Sequence, residues 1–424
     1  MLLSLFLYNL LIALTAPVWM PLFLVHNLRR GRHGIGGGFT RADRANLAGR
    51  RVIWLHAVSL GESIAGALLY RALAPQMPDH AWVTTASTPT GHAMQTKLLP
   101  DSVMKRCFPL DLPWSMRRAI NRTHPELLIL VETEIWPNLL AAARSREIKT
   151  ALVSGRFSDH SAAWYRRFHL LLKPFLGCLD LALMQTSLDA ARIIAAGAPP
   201  VRVCVLGNLK FDLTPMPAQG LDRAALHLGE GPSLVAGSTH EGEEAELLKA
   251  FALIRRSGPA VLILAPRHLE RLASVKEILS KTAWRWGLRS EAPAAGADKL
   301  DVLLLDSYGE LASFYDLATV VFIGGSLAPI GGHNPIEASA LARPVLFGPH
   351  MENFREAKDL LLAAGAARVT VNAAGIAEAF LALAGDPDEA GLMGKRGLDA
   401  VARNRGASSK TATRLAALIG GENV

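Results

Sequence analysis

Short apolar runs rich in β-branched residues recur along this chain, each followed by a stretch of helical periodicity. That alternation restricts the fold to parallel sheets with helices on both faces. Strands are predicted at 52–56, 82–85, 127–131, 150–153, 181–184 and 201–206, and again at 233–236, 261–264, 302–305, 319–323 and 344–347. Between the two sets, residues 212–232 carry Pro215, Pro217, Gly220, Gly229 and Gly231 and read as a linker. The prediction is therefore an α/β protein with two Rossmann-like domains, 52–211 and 233–424, and 424 residues suffice to give each its own core.

In open parallel sheets the ligand crevice lies beyond the carboxyl ends of the strands, so the polar residues at strand exits are the candidates for chemistry. The richest exit follows 319–323, where GGSLAPIGGHNPIE leads into an apolar helix with Asn334 as N-cap and Pro335 at N1. Free N–H groups beside glycines suit a phosphate, and Glu337 in the first turn suits a pair of vicinal hydroxyls. Alternatively, the glycines make a tight turn and Glu337 complements the dipole. Arg267 at the 261–264 exit is a natural clamp for phosphate or carboxylate, or a partner for Glu241 or Glu310. Ser238 and Glu241 have the spacing of a capping box.

In the first half, Ser59 and Glu62 follow the first strand. A carboxylate at that helix start suits a general base or merely complements the dipole. Glu132 and Glu134 share the exit of 127–131, a costly arrangement unless cations match them, and Arg156 and Lys210 at neighbouring exits are the candidates. Asp386-Pro387-Asp388 is read as a surface turn rather than a metal site, and Cys107, Cys178 and Cys204 have no metal-ligand spacing.

Residues 1–28 read as a membrane anchor: no charge occurs from Met1 to Val25, a helix of roughly 37 Å. Pro17 and Pro21 leave both a spanning helix and one lying in a single leaflet open. Residues 29–51 read as a basic juxtamembrane linker that includes Arg41, Arg44, Arg50 and Arg51. Charge placed after the apolar run argues for an uncleaved anchor with the body on the cytoplasmic side, against an anionic leaflet. The net charge of +8 calls for acidic partners. Nucleic acid is disfavoured, because the basic residues gather beside the apolar segment. Trp164, Tyr165, Arg166, Arg167, Phe168 and Lys173 interleave aromatic and basic residues and are either a further lipid-seating segment or a solvated helix face.

Two α/β halves with polar exits in both describe the GT-B architecture of sugar-nucleotide enzymes. The ordered motifs HAVSLGES, TPTGH, ETEIWPNL, GNLKFD, STHEGEE, APRH, GELASFY and GGSLAPIGGHNPIEA resemble the 3-deoxy-D-manno-octulosonic acid (Kdo) transferases over nearly the whole chain. The resemblance implies an inner-membrane enzyme that moves Kdo from CMP-Kdo to a lipid A precursor by an inverting displacement, with no metal or other cofactor. It implies Glu62 as general base, assisted by Glu132 and Lys210. It places CMP on Pro266, Arg267, Tyr308, Gly309, Glu310, Asn334, Pro335, Ile336 and Glu337, and the acceptor near Ser59 and Arg156. Where the family often reads Asn-Ala-Arg, this chain has Ser154-Gly155-Arg156. The competing readings are a transferase for a UDP- or GDP-sugar, a sugar-nucleotide epimerase of the same fold, whose chemistry gives no reason for a membrane anchor, and a non-catalytic membrane-anchored module that binds anions.

Overall fold

The computed structural model describes residues 1–29, 38–157, 167–215, 221, 223–291 and 298–421. The chain forms two compact units, Met1–Asp212 together with Arg405–Val424, and Leu213–Asn404. Each holds one seven-stranded sheet. In the first unit β1 (Arg51–His56), β2 (His80–Ala86), β3 (Met104–Cys107), β4 (Leu127–Val131), β5 (Lys149–Gly155), β6 (Leu181–Met184) and β7 (Val203–Val205) lie in the order β3-β2-β1-β4-β5-β6-β7, with every pairing parallel. In the second unit β8 (Ser233–Thr239), β9 (Val261–Pro266), β10 (Trp286–Leu288), β11 (Val302–Leu304), β12 (Val320–Ile323), β13 (Val345–Phe347) and β14 (Ala367–Val369) are ordered β10-β11-β9-β8-β12-β13-β14, again all parallel. The strand order reverses between β1 and β4 and between β8 and β12. These are the two switch points where helices leave opposite faces and a crevice opens.

The central strands are apolar throughout because both faces are covered. Along β1, Val52 and Trp54 enter one core with Leu128 and Leu130, while Ile53 and Leu55 enter the opposite one with Leu127 and Ile129. In the second unit Leu234 and Ala236 join Phe322 on one side, and Val235 joins Val321 and Ile323 on the other. The period of two in each strand separates the layers.

Four differences from the sequence-based expectation matter. First, the chain from Phe39 onward is folded structure rather than linker. Phe39 is 3 % exposed and meets Trp54 edge-on at 5.1 Å, and Thr40 and Asp43 form a capping box on α2 (Arg41–Leu47). Second, the edge strands β3, β10 and β14 were not predicted. Third, the last helix, Ala407–Gly420, belongs to the first unit, not to a 233–424 domain: Ala412, Leu415 and Leu418 pack with Leu69 of α3 (Leu60–Leu73). The Asp212 carboxylate accepts from the amides of Gly406 and Ser408 at its start.

The fourth concerns α1 (Leu2–Arg29), a continuous helix with Pro17 and Pro21 inside it. Its Tyr8 hydroxyl donates to Asp111 at 3.0 Å, Asn9 and Asn138 exchange side-chain amide bonds of 2.9–3.0 Å, and Ser4 is buried. The outward residues are apolar: Leu3, Phe6, Leu14 and Val18 are 62–71 % exposed. Among the described residues no helix is long and apolar enough to cross a membrane.

Candidate functional site

The first-unit site lies at its switch point. Ser59 caps α3, and Glu62 is the third residue of that helix. The Ser59 hydroxyl donates to Glu62 Oε1 at 2.7 Å, and the Val58 amide donates to Oε2 at 2.7 Å. Both carboxylate oxygens are thus held by their own turn, and the side chain is 8 % exposed. Burial, together with the negative charge of Glu132, pushes the Glu62 carboxyl above the usual carboxylate range, while the cap bonds and Lys210 oppose the rise. A basic carboxylate in a fixed rotamer is what proton abstraction requires.

Facing it across the switch point is the turn after β4. Glu132 has a left-handed backbone (φ 62°), an uncommon conformation for a non-glycine residue. Its carboxylate takes Lys210 Nζ at 2.5 Å, and both side chains are less than 15 % exposed. Lys210 is placed by the turn after β7: its amide donates to Asn208 Oδ1 at 3.0 Å, and Asn208 donates to Gln185 Oε1 at 3.2 Å. Lys210 Nζ also approaches Gly61, where a Cβ would sit 3.5 Å away, so the ammonium adjoins the Glu62 turn. Of the two proposed cations, Lys210 pairs with Glu132. Arg156 reaches the turn through its carbonyl, which accepts the Thr133 hydroxyl. At Gly155 before it a Cβ would lie 2.6 Å from Met184 Sδ, so a side chain there would require the Met184 thioether to move.

Glu134 was noted in the sequence but given no role. Burial first and the Glu62 charge second push its carboxyl up to about 8, so at neutral pH it is mostly protonated.

In the second unit the glycine-rich loop is organised differently from the expectation. The amides of Gly325, Ser326 and Leu327 donate to the buried Glu243 carboxylate at 2.6–2.9 Å, and the His240 amide joins them at 2.9 Å. An internal carboxylate therefore occupies the first amides of the glycine-rich loop, ahead of the helix start to which the sequence reading assigned a phosphate. Gly324 allows this approach: a Cβ there would lie 2.4 Å from the Ser238 carbonyl oxygen. Nor do Ser238 and Glu241 form a capping box. Ser238 is left-handed (φ 58°), and the following helix, Glu243–Ser257, starts from Gly242. Asn334 is not the N-cap of the short helix Ile336–Ala340, whose cap position is Pro335. Asn334 accepts from the Ile336 amide at 3.0 Å and donates to Glu337 at 3.4 Å.

The predicted nucleotide contacts do gather at one end of this sheet. Pro266 ends β9 and Arg267 follows it, near enough for its charge to act on both His333 and Glu337. Arg267 forms no ion pair among the described residues, and Glu310 is taken by Arg289 at 3.1 Å. The Tyr308 hydroxyl, from the turn that includes Gly309, accepts the Leu269 amide at 3.4 Å and ties the Tyr308–Glu310 turn to the β9 exit. Burial raises the Glu337 carboxyl, with Asn334 and Arg267 opposing.

Sequence reading missed two groups here. Glu243 is one; the other is the histidine pair, His240 and His333, whose rings stack at 5.1 Å with Nε2 atoms 2.8 Å apart. Burial and the Arg267 charge push His333 down to about 3, so this ring is neutral and one nitrogen of the pair carries the shared proton. Their signal was HxxE in STHEGEE together with the HN of GGHNPIE, which periodicity cannot connect. Among the described residues no group of three His, Cys, Asp or Glu is placed to hold a metal ion. Trp164, Tyr165 and Arg166 lie outside the described residues.

Two parallel-sheet α/β units with their polar groups at the switch points define a GT-B-like fold. Solved structures of similar fold include the UDP-GlcNAc 2-epimerase from Neisseria meningitidis (TM-score 0.58, 14 % identity, 86 % of this chain and 98 % of that one). Another is the calicheamicin glycosyltransferase CalG4 (TM-score 0.54, 14 % identity, 88 % and 99 %). At these identities the likeness concerns the fold alone. The sequence goes further. Residues 33–213 match the family model described as 3-deoxy-D-manno-octulosonic-acid transferase (kdotransferase). The chain is 34 % identical to the 3-deoxy-D-manno-octulosonic acid transferase of Haemophilus influenzae over 84 % of each, and 34 % identical to that of Bordetella pertussis over 87 % of each. The chain belongs to the Kdo transferase family and is a glycosyltransferase.

Proposed function

We propose that this enzyme transfers Kdo from CMP-Kdo to the tetra-acylated lipid A precursor, in an inverting displacement, at the cytoplasmic face of the inner membrane. The observation that carries the chemistry is Glu62: a raised carboxyl locked by Ser59 and Val58 at the switch point, beside a neutralised Glu132. Glu62 takes the proton from the acceptor hydroxyl as that oxygen attacks the anomeric carbon, and the bond to the CMP phosphate oxygen breaks with its electron pair leaving on CMP. Glu132 favours positive charge at the sugar carbon, and Lys210 offsets negative charge on the donor. Ser59 and Arg156 border the acceptor.

In the second unit, Arg267 is the cation for the donor phosphate or carboxylate. The Tyr308–Glu310 turn and Asn334 through Glu337 hold the nucleotide, with the Glu337 carboxylate suited to ribose hydroxyls. Three amides of the loop after β12, those of Gly325, Ser326 and Leu327, are taken by Glu243 and are not offered to the donor. Neither donor nor acceptor calls for a bound metal in this scheme. The exposed apolar side of α1 is suited to lie in one leaflet while Tyr8 and Asn9 keep the helix on the first unit. The experiment is transfer from CMP-Kdo, made in situ, to tetra-acylated lipid A precursor, read by mass spectrometry of the lipid. Kdo-sized additions that vanish in a folded Glu62→Ala variant are expected. Activity with UDP- or GDP-sugars and none with CMP-Kdo would overturn the donor assignment.

A further inference from the structure

Helix α5 (Pro113–Thr123) buries Met116, Ala119, Ile120 and Thr123 and turns its other face outward. On that face Trp114, Arg117, Arg118 and Arg122 recur at helical spacing, and Arg41 and Arg44 of α2 stand opposite, enclosing a cleft of about 560 Å³. No carboxylate of the described residues lines it. The one acid of α2, Asp43, is buried and paired with Arg106. Arg41, Arg44, Arg117 and Arg118 form no ion pair among the described residues, and Arg122 donates to the Phe39 carbonyl. Burial and the charges of Arg118 and Arg41 lower the Arg122 pKa, the sign of a cluster whose like charges are not matched internally.

Such a cluster is relieved by an anion, and guanidinium forks fit phosphate oxygens. Trp114 lines the cleft and is 59 % exposed; tryptophan of this kind sits at a membrane–water boundary. The cleft also connects to the exposed apolar helix: Asp111, three residues before Trp114, receives the Tyr8 hydroxyl of α1. We infer that the α2–α5 cleft is a lipid headgroup site, holding the phosphate of an anionic phospholipid while Trp114 reaches the interface; this rests on the membrane reading above.

The full-length enzyme and an Arg117→Ala/Arg118→Ala variant are floated with vesicles of phosphatidylcholine alone and with vesicles containing one third phosphatidylglycerol. The variant is expected to lose about thirtyfold in affinity for the anionic vesicles, at roughly one decade or a little less per arginine, and nothing for the neutral ones. Brominated lipid should quench wild type more than a Trp114→Phe variant. Equal affinities of wild type and variant for anionic vesicles, or no quenching difference, would overturn the proposal. Inorganic phosphate titrated against both proteins separates the sources: saturable binding lost in the variant with vesicle affinity unchanged would assign the cleft to a soluble phosphate compound instead. None of these readouts needs transfer, so an enzyme inactive with CMP-Kdo would leave them standing. A wild type that floats with no vesicle would overturn the membrane reading itself.

Discussion

Glu62 and Glu243 sit in equivalent places: each opens the first helix after the first strand of its sheet, at the switch point, and each is buried. They differ in what they hold. Glu62 is bound by its own turn and faces another carboxylate, so its charge is kept at a cost. Glu243 is bound by amides of the loop after β12, so its charge closes that loop. One position in the topology thus yields a strained base in one unit and a structural staple in the other, decided by whether the opposite exit brings Glu132 or Gly324-Gly325.

The comparison can be broken by exchanging the effects. Glu62→Ala should lower transfer by roughly 10²–10⁴-fold with the melting temperature unchanged or raised, measured by lipid mass spectrometry and calorimetry. Glu243→Ala should do the reverse in kind. Three or more buried amides lose their acceptor at about 1–3 kcal/mol each, so denaturant unfolding should show a loss of roughly 3 kcal/mol or more. Glu243→Ala with unaltered stability would show that the loop closes without the carboxylate. Lys210→Met leaves Glu132 buried beside Glu62 and should cost about 3 kcal/mol, with a Glu132→Gln partner substitution recovering most of the stability but not the activity. The last effect is one of pH and belongs to Glu134. Its folded carboxyl titrates near 8 and its unfolded one near 4.5, so the folded state binds more protons between those values and stability falls as pH rises through the window. Glu134→Gln should therefore gain on wild type steadily from pH 5 to 8 and level off above, a trend that melting curves at several pH values would test.

The strands were legible where both faces are buried, as in β1, β4, β8 and β12, because continuous apolar runs leave no other reading. The edge strands were not: Met104–Cys107 is MKRC, half exposed and charged, with no apolar run to mark it, and it pairs with Val83 to Ala86 at the edge of the sheet. Glu62, Glu132 and Lys210 were legible as strand-exit residues, and the Lys210–Glu132 pair was among the matches foreseen. The Glu243 staple was not, since Glu243 lies 82 residues from Gly325 and local spacing favoured a cap from Ser238. Arg41 and Arg44 were assigned to a linker because the chain there reads as polar; Phe39, Leu47 and the pair of buried Asp43 with Arg106 anchor it.

The return of the final helix to the first unit has a consequence for biosynthesis. Residues 1–212 emerge from the ribosome first, yet the surface of α3 that receives Ala412, Leu415 and Leu418 stays uncovered until residues 405–421 have been made. The second unit, contiguous in sequence, has every residue it needs earlier. A premature stop near codon 404 would thus spare the unit it adjoins and cripple the one encoded at the opposite end of the message.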